Sequence, residues 1–151
     1  MKAEQIMTRE VIAVDQDATV EEVARILITR QINAVPVVNA QQEVVGMVSL
    51  NELFPKLKDM RFSETRMAHL FNTLVNISDL PDFYWKTRHL PVKEVMTRDM
   101  ELVQVDDEME RIAALMAYHN YHSLPVVRGK QLVGIISRSD LIRVAMKVDK
   151  S

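Results

Sequence analysis

The sequence predicts an α/β (α+β) protein in which two β-α-β-β-α repeats pack about a pseudo-twofold axis, with a helical insert between them. Three observations lead to this prediction: an internal repetition, β-branched runs of strand length, and apolar residues at helical spacing. The segment Val35–Val38 recurs as Leu124–Val127, and Gly46 recurs as Gly134 at a displacement one residue shorter. The missing residue lies at a predicted hairpin turn, where a change of length is tolerated.

Each repeat opens with a strand followed by a helix. Short apolar runs at Ile12–Val14 and Leu102–Val105 have the length and composition of strands. Apolar residues then recur at i, i+3, i+4 and i+7 from Val20 and from Met109, which is the spacing of one helix face. A short strand therefore leads into an amphipathic helix in both repeats.

Residues with capping chemistry mark the ends of these helices. Thr19 with Glu22, and Asp107 with Glu110, predict N-terminal caps, because a side-chain oxygen can accept a free backbone N–H there. Asn33 is expected to take the left-handed turn that ends the first helix. Each helix is followed by two strands joined by a hairpin-length loop, and then by a second helix that begins at a serine. The paired strands are Val35–Val38 with Val44–Val48 and Leu124–Val127 with Leu132–Ile136.

The repetition places the first repeat at residues 1–57, an insert at 58–92 and the second repeat at 93–151. Apolar residues at helical spacing predict that the insert is partly helical. Its aromatic cluster consists of Phe83, Tyr84 and Trp85. Two interpretations are open: the cluster covers apolar surface of its own domain or of a twin subunit, or it contacts a ligand or a partner protein.

The composition excludes several functional classes. The formal net charge of −2 leaves no basic stripe of the kind that binds nucleic acid. No apolar run approaches the ~18 residues that a membrane helix needs. The N-terminus also lacks a signal-peptide core, so we expect a cytoplasmic protein with no membrane partner. The absence of cysteine removes thiolate nucleophiles and thiolate metal ligands.

The sequence contains no motif that predicts a catalytic or a metal-binding role. His119 and His122 have helical spacing, but no matching carboxylate pattern accompanies them. Ser137 has neither an oriented base nor a Gly-x-Ser-x-Gly elbow. The 3 glycines form neither GxGxxG nor GxxxxGK[ST]. We therefore expect no enzyme, no catalytic cofactor and no metal site.

Each repeat ends with a serine that is followed by an acidic residue at the third position. These pairs are Ser49 with Glu52 and Ser137 with Asp140. As a capping box, such a pair stabilises a helix by ~1 kcal/mol and needs no ligand. As a binding element, the helix start offers N–H groups to phosphate, and the carboxylate suits the two hydroxyls of a ribose. Both interpretations are open.

The surroundings favour the second pair as an anion receptor. Arg138, Ser139 and His122 can each donate a hydrogen bond to phosphate. The corresponding residues of the first repeat, none of them positively charged, are Leu50, Asn51 and Asn33. Asp140 is also short and stiff, whereas Glu52 has an extra methylene that lets it curl back as a cap.

The doubled pattern of M-T near the start, h-P-V-V in the middle and G-h-h-S-x-x-[DE] at the end resembles the cystathionine-β-synthase (CBS) domain family. It is similar to a tandem pair, often called a Bateman module, over roughly residues 1–57 and 93–148. The resemblance implies two clefts related by the pseudo-twofold, which bind AMP, ADP, ATP or, in some members, S-adenosylmethionine. It also implies a homodimer in which four repeats form a flat disc.

The resemblance assigns roles to residues of both clefts. In the first, Asp140 would hold the ribose hydroxyls, and phosphate would meet Ser137, Ser139 and His122. The adenine would lie against the opposite repeat, in a pocket formed by Thr8, Ile12, Ile32, Asn33 and Ile135. The symmetric cleft departs from the family pattern at its acidic residue, which predicts weaker binding there. That cleft comprises Ser49, Glu52, Thr97, Leu102 and Tyr121.

Two functional hypotheses follow. In the first, the chain is a non-catalytic regulatory sensor: an adenosine nucleotide bridges the two repeats and alters the geometry of the repeats or of the dimer. Its target would be a separate protein. In the second, the chain is a ligand-free dimerisation or docking module, and the two serines are plain helix caps. Titration with nucleotides separates the two.

Overall fold

The computed structural model of the chain describes residues 1–53 and 84–148. The helix expected from apolar spacing in the insert, and Phe83, lie outside the described residues. Within them, both repeats have the predicted β-α-β-β-α order, and a short helical element precedes the first strand of each repeat. The predicted fold class is thereby confirmed.

The bounds of the elements agree with the predicted runs to within a few residues. The first repeat contains α1 (Ala3–Ile6), β1 (Val14–Asp15), α2 (Val20–Thr29), β2 (Ala34–Val38), β3 (Val44–Ser49) and α3 (Leu50–Leu53). The second repeat contains a 3₁₀ helix (Val92–Glu94), β4 (Val103–Gln104), α4 (Met109–His119), β5 (Ser123–Arg128), β6 (Gln131–Ser137) and α5 (Arg138–Val148).

Each repeat forms its own three-stranded sheet. The order is β1-β2-β3 in the first repeat and β4-β5-β6 in the second. The first strand of each sheet pairs in parallel with the second, with Val14 opposite Val37 and Val103 opposite Val126. The second and third strands form an antiparallel hairpin with a register shift at the same place in both repeats. The parallel pairing requires a crossover, which α2 and α4 supply.

The first residues of each repeat pair with the last strand of the other repeat. The Thr8 N–H donates to the Ile135 carbonyl at 2.9 Å, and the Ile135 N–H donates back at 3.0 Å. Thr97 and Met47 exchange the same two bonds, at 2.9 Å and 3.0 Å. The repeats are therefore joined by main-chain hydrogen bonds at two symmetric positions.

The two hydrophobic cores are exchanged in the same way. Met7, from the first repeat, lies in the core of the second, and Met96 lies in the core of the first. A glycine faces each methionine: a Cβ at Gly46 would lie 2.7 Å from Met96 Sδ, and a Cβ at Gly134 would lie closer still to Met7 Sδ. Both repeats have glycine at this position because a side chain would occupy the space of the exchanged methionine.

The predicted cap at Thr19 is confirmed, and the predicted cap at Asp107 is wrong. The Thr19 hydroxyl accepts the Glu22 N–H at 3.1 Å, and the Glu22 carboxylate accepts the Thr19 N–H at 3.1 Å. In the second repeat the cap position is Glu108, which makes no side-chain capping bond. Asp107 instead accepts the backbone N–H of Gln104 at 2.8 Å, because it belongs to the turn after β4.

The left-handed residue after the first helix is Gln31, with φ of 54°, and the prediction of Asn33 is wrong. Helix α2 ends at Thr29, so the turn that follows the helix is complete before Asn33. Asn33 lies just before β2, where its carbonyl accepts the Leu50 N–H at 3.1 Å. In the second repeat Asn120 takes the left-handed conformation, with φ of 58°.

The described end of the insert packs on the start of α2. The carbonyls of Leu90 and Arg88 accept the N–H groups of Val20 and Glu21, at 2.9 Å and 3.1 Å. The Arg88 guanidinium lies 3.9 Å from the centre of the Trp85 ring. This part of the insert therefore satisfies free donors at the helix N-terminus, and Trp85 remains largely exposed.

Candidate functional site

A cavity of ≈ 410 Å³ opens between the two repeats, and both repeats line it. This volume lies within the usual range for pockets that bind small molecules. The first repeat contributes Asn33, Ala34, Met47, Ser49, Leu50 and Glu52. The second repeat contributes Thr97, Met100, Asn120, Tyr121, His122 and Ser123.

The repeat symmetry explains how these residues come together. Asn33 and His122 occupy equivalent positions just before β2 and β5, so the cavity reaches across the pseudo-twofold. Ser49 ends β3 and faces the segment after Met96, because Thr97 pairs with Met47 on that strand. The cavity is therefore a product of the exchanged pairing, and neither repeat could form it alone.

Glu52 is the acidic residue of this cavity, and it joins the two repeats. Its Oε2 atom accepts the Ser49 N–H at 2.8 Å and also the Ser49 hydroxyl. Its Oε1 atom accepts the Thr97 hydroxyl at 2.8 Å. The residue therefore acts as a helix cap with one oxygen and as an inter-repeat acceptor with the other. A ligand hydroxyl at Oε1 would share or replace the bond from Thr97.

The Ser137 and Asp140 pair forms a complete capping box. Asp140 Oδ2 accepts the Ser137 N–H at 2.8 Å, and the Ser137 hydroxyl accepts the Asp140 N–H at 3.3 Å. The Ser137 and Ser139 hydroxyls lie 2.8 Å apart. Asp140 Oδ1 accepts a bond from Arg143 at 2.9 Å, and the aspartate is only 7% exposed. Both oxygens of this carboxylate are thus bonded to the protein itself.

A smaller cavity of ≈ 280 Å³ lies between α1 and α5. Its lining is more basic than that of the larger cavity, since Arg143 and Lys147 accompany Asp140. The remaining lining residues are Met1, Gln5, Ile6 and Val144. The two cavities are therefore not equivalent in either size or charge, although the repeats are similar.

Arg138 was expected to be a phosphate donor, and the structure gives it a different role. Its Nε atom donates to the Tyr121 carbonyl at 2.7 Å, and a terminal nitrogen donates to Asn120 Oδ1 at 2.9 Å. The same nitrogen lies 3.3 Å from the Met116 carbonyl. Arg138 thus caps the C-terminal end of α4, where carbonyl groups lack helical partners.

Of the cleft predicted around Asp140, only Asp140 lines the smaller cavity, and Ser137 and Ser139 line neither cavity. Four residues of the weaker predicted cleft line the larger cavity: Ser49, Glu52, Thr97 and Tyr121. Asn33 and His122, which were predicted for the cleft at Asp140, also line the larger cavity. Thr8 lies beside Ile135 through their backbone pairing. Ile32 packs against the core of the first repeat. Ile12 and Leu102 precede β1 and β4 and line neither of these two cavities.

Several lining residues were not predicted, although the internal repeat could have indicated some of them. Ile135 was expected to close a pocket, and the repeat maps it onto Met47, which lines the larger cavity. Ala34 and Ser123 likewise follow the predicted pair Asn33 and His122. The repeat also maps Leu50 onto Arg138, a predicted phosphate donor, whereas no pattern in the sequence indicated Met100 and Asn120.

The described residues contain neither a membrane-spanning helix nor a metal-binding cluster. None of the helices described is long and apolar enough to cross a bilayer. Among the same residues, no group of three or more histidine, cysteine or acidic side chains is placed to hold a metal ion.

Several known proteins align in sequence with nearly the whole chain. The chain is 27% identical over 143 residues to inosine-5′-monophosphate dehydrogenase of Methanocaldococcus jannaschii, an alignment that covers 94% of the chain and 23% of that protein. The chain spans only 33% and 41% of the next two curated relatives. The whole proteins thus contain much that has no counterpart here.

Solved structures give the same fold over nearly the whole chain. CBSX2 from Arabidopsis thaliana superimposes with a TM-score of 0.79 at 22% identity, covering 99% of this chain and 97% of that one. The CBS domain pair of protein MJ0100, in complex with 5′-methylthioadenosine and S-adenosyl-L-methionine, gives a TM-score of 0.69 at 19% identity, with 98% of each chain covered.

The sequence model of the CBS domain matches two separate regions, residues 3–59 and 92–147. These regions include both predicted repeats and most of the chain. With the exchanged repeats and the cavity between them, the match leads to one conclusion: the chain belongs to the CBS-domain family, as a tandem pair.

Proposed function

We propose that this chain is a non-catalytic regulatory module that binds an adenosine derivative in the cavity between its two repeats. The observation that carries the proposal is the ≈ 410 Å³ cavity, whose polar groups come from both repeats and surround the carboxylate of Glu52. A ligand held by both repeats is sensitive to their relative position, which is what a sensor requires.

In this proposal the ribose lies at Glu52, and its hydroxyls donate to Oε1. Ser49 and Thr97, whose hydroxyls bond to Glu52, flank the carboxylate at this position. The base lies toward Tyr121, where the chain segments before β2 and β5 provide backbone donors and acceptors. A second proposed binding site lies at Asp140. The family pattern assigns six further residues to it: Thr8, Ile12, Ile32, Ile135, Ser137 and Ser139.

The regulatory step follows from the bond between Glu52 and Thr97. This bond connects the start of α3 to the second repeat. A sugar hydroxyl that replaces the Thr97 hydroxyl at Glu52 breaks this direct bond. The two repeats are then connected through the ligand. The ligand thereby favours a different relative position of the repeats, by as much as its differential affinity for the two positions.

Similar structures support the class of ligand. One structure of CBSX2 was determined in complex with AMP, and the MJ0100 domain pair contains 5′-methylthioadenosine and S-adenosyl-L-methionine. The ligands to be tested are therefore AMP, ADP, ATP and S-adenosylmethionine. We place the protein in the cytoplasm, without a nucleic-acid or membrane partner, and acting on a separate protein.

We also propose that the chain forms a homodimer. Contiguous apolar patches on a protein surface mark interaction sites more often than scattered apolar residues do. Large apolar side chains are exposed on three of the described helices, and the two on α5 lie one turn apart. These large apolar side chains are Ile28 on α2, Tyr118 on α4, and Ile142 and Met146 on α5. A second copy that covers them would form the disc of four repeats.

Calorimetric titration of the chain with this panel tests the ligand-binding proposal. We expect at least one adenosine derivative to bind with micromolar affinity, and Glu52→Ala to weaken that affinity by about tenfold or more. Glu10→Ala, which removes an exposed carboxylate away from the cavity, is the matched control and should bind normally. If no ligand binds better than millimolar, the ligand-free docking module becomes the better description.

A further inference from the structure

We propose that the cavity at Glu52 selects adenosine derivatives whose 5′ group is neutral or positively charged, and discriminates against those that carry a 5′ phosphate. This inference rests on the proposed function and narrows its ligand class. The preferred ligands are a 5′-thioether nucleoside or a 5′-sulfonium compound.

The charge of the cavity lining carries the inference. Among the described residues that line it, Glu52 is the only one with a permanent charge, and none is lysine or arginine. Within this described lining, His122 is the only base that can gain a proton. With His122 neutral these residues have one negative charge, and with His122 protonated they are neutral overall. In neither state do the described lining residues carry a net positive charge.

Proteins bind phosphate through arginine and lysine side chains and through free N–H groups at helix starts. At the start of α3 the N–H groups of Ser49 and Leu50 are already bonded, to Glu52 and to the Asn33 carbonyl. Arg98, which follows Thr97, donates to the Lys93 carbonyl at 2.9 Å. Arg138 bonds to two lining residues, Tyr121 and Asn120, and is thereby committed to the end of α4. The first repeat has Leu50 at the equivalent position, and Leu50 lines the cavity. A phosphate there would meet the Glu52 carboxylate without a compensating cation from the described lining residues, which is unfavourable at short range.

The same lining suits a 5′ group that is a neutral thioether or a positively charged sulfonium. Met47 and Met100 contribute polarizable, apolar side chains on which a thioether or a methyl group can pack. A sulfonium centre has one positive charge, and the Glu52 carboxylate attracts it without losing its role as an acceptor. The cavity thus offers both a soft surface and one fixed negative charge.

The smaller cavity provides an internal contrast. Arg143 and Lys147 line it together with Asp140, so its formal charge is positive. An anionic adenosine derivative that binds this chain is therefore expected near α5. Substitutions at Glu52 and at Lys147 then separate the two locations.

The test is a calorimetric comparison of adenosine, 5′-methylthioadenosine, S-adenosylmethionine, AMP and ATP on the full chain. We expect 5′-methylthioadenosine and S-adenosylmethionine to bind at least about tenfold more tightly than AMP at the Glu52 cavity. Glu52→Gln keeps an acceptor for the Ser49 N–H, and so preserves the cap while removing the charge. It should lower the preference for S-adenosylmethionine over AMP by about tenfold.

Two further variants complete the design. Met100→Arg adds a cation to the lining and should strengthen AMP binding, while Gln41→Arg adds the same charge at a hairpin turn away from the cavity and should not. Lys147→Ala should weaken only a ligand bound at the smaller cavity. Thermal melting establishes that each variant is folded before its affinities are compared.

The possible failures are distinguishable. If AMP or ATP binds as tightly as the thioether and loses affinity in Glu52→Ala, this inference is overturned and the proposed function stands. If the affinity ratio is the same in Glu52→Gln and in the wild type, charge does not decide the selectivity. If no member of the panel binds, the proposed function and this inference fail together.

Discussion

Thr97 donates a 2.8 Å hydrogen bond to Glu52 across the boundary between the two repeats. Their counterparts differ: Thr8 lies beside β6 through its backbone, while the carboxylate of Asp140 is bonded to Ser137 and Arg143. Aspartate is one methylene shorter than glutamate, so its carboxylate remains close to its own helix. The extra methylene thus lets Glu52 accept a bond from the other repeat, whereas Asp140 accepts bonds only from its own repeat among the described residues.

The first prediction concerns the coupling between these two side chains. In a double-mutant cycle of Thr97→Val and Glu52→Gln, we expect a coupling free energy of about 1 kcal/mol without added ligand, because the bond involves a carboxylate but lies partly exposed. Chemical denaturation measures the free energy of unfolding of each variant. Thr8→Val, the symmetric substitution, should change stability less than Thr97→Val. A coupling of zero would show that the bond contributes nothing to the union of the repeats.

The second prediction concerns the glycine that faces an exchanged methionine. A Cβ at Gly46 would lie 2.7 Å from both Met96 Sδ and the Thr97 carbonyl, and that carbonyl is held by the Met47 N–H. Gly46→Ala should therefore reduce the free energy of unfolding by about 1–3 kcal/mol, since the backbone cannot yield as a side chain could.

The matched control for that substitution is a glycine with open space around it. Gly129 has φ of 68°, and no neighbouring atom lies within 4 Å of the point that a Cβ would occupy. Gly129→Asn should be tolerated, because asparagine adopts the left-handed conformation more readily than other residues with a Cβ. Equal melting temperatures for Gly46→Ala and the wild type would contradict the close packing of Met96.

The third prediction concerns a titration. The Asp17 carboxylate lies 2.9 Å from Lys93 Nζ, and its hydrogen bond and charge raise the pKa of Lys93 above the ordinary value of 10.5. The pair therefore stabilises the fold fully below the unfolded pKa, and this contribution is lost as the pH rises through the folded pKa. Asp17→Asn should return the Lys93 pKa toward 10.5, as measured by NMR titration of the lysine side chain.

The neighbouring carboxylate of Glu94 provides the comparison for this titration. It also raises the pKa of Lys93, but less than Asp17 does. Glu94→Gln should therefore lower the Lys93 pKa by a smaller amount than Asp17→Asn. Because the pair is exposed, added salt should reduce the Asp17 effect as well. The same pKa in Asp17→Asn and in the wild type would refute the assignment.

The fourth prediction concerns self-association through α5. Ile142 is 60% exposed and Met146 is 69% exposed, and their i, i+4 spacing places them on one helix face. If a second copy covers this face, Ile142→Glu combined with Met146→Glu should shift a dimer to a monomer in sedimentation experiments. Gln41→Glu, at an exposed hairpin turn, adds negative charge elsewhere and should leave the dimer intact. A wild-type chain that sediments as a monomer would reject the proposed dimer.

Much of the fold was predictable because its signals are local and occur twice. The strand positions follow from short apolar, β-branched runs and the helix positions from helical spacing of apolar residues, and the second copy supports each interpretation of the first. The Thr19 cap was predictable for the same reason, since its partner is the nearby Glu22. The predictions for Asp107 and Asn33 were wrong because the backbone conformation decides which residue of a short segment takes these positions. The N-cap position is taken by Glu108, and the left-handed conformation by Gln31.

The site was less predictable because it depends on contacts between distant segments. Residue types favoured the surroundings of Asp140 for phosphate, but Arg138 is used by the end of α4 and is not free for that role. The reach of Glu52 toward Thr97 joins residues 45 positions apart. No local pattern reports such a bond, since it exists only when the two repeats exchange their first segments.

The sequence alone determined the doubled architecture, the order of elements and the two serine-acid pairs, because each of these depends on spacing within a short segment. Tertiary structure decided which pair faces the large cavity and which carboxylate is enclosed by its own helix. The physical reason is that main-chain pairing of Thr8 with Ile135 and of Thr97 with Met47 sets the gap between repeats. Side-chain length then decides which groups reach across it.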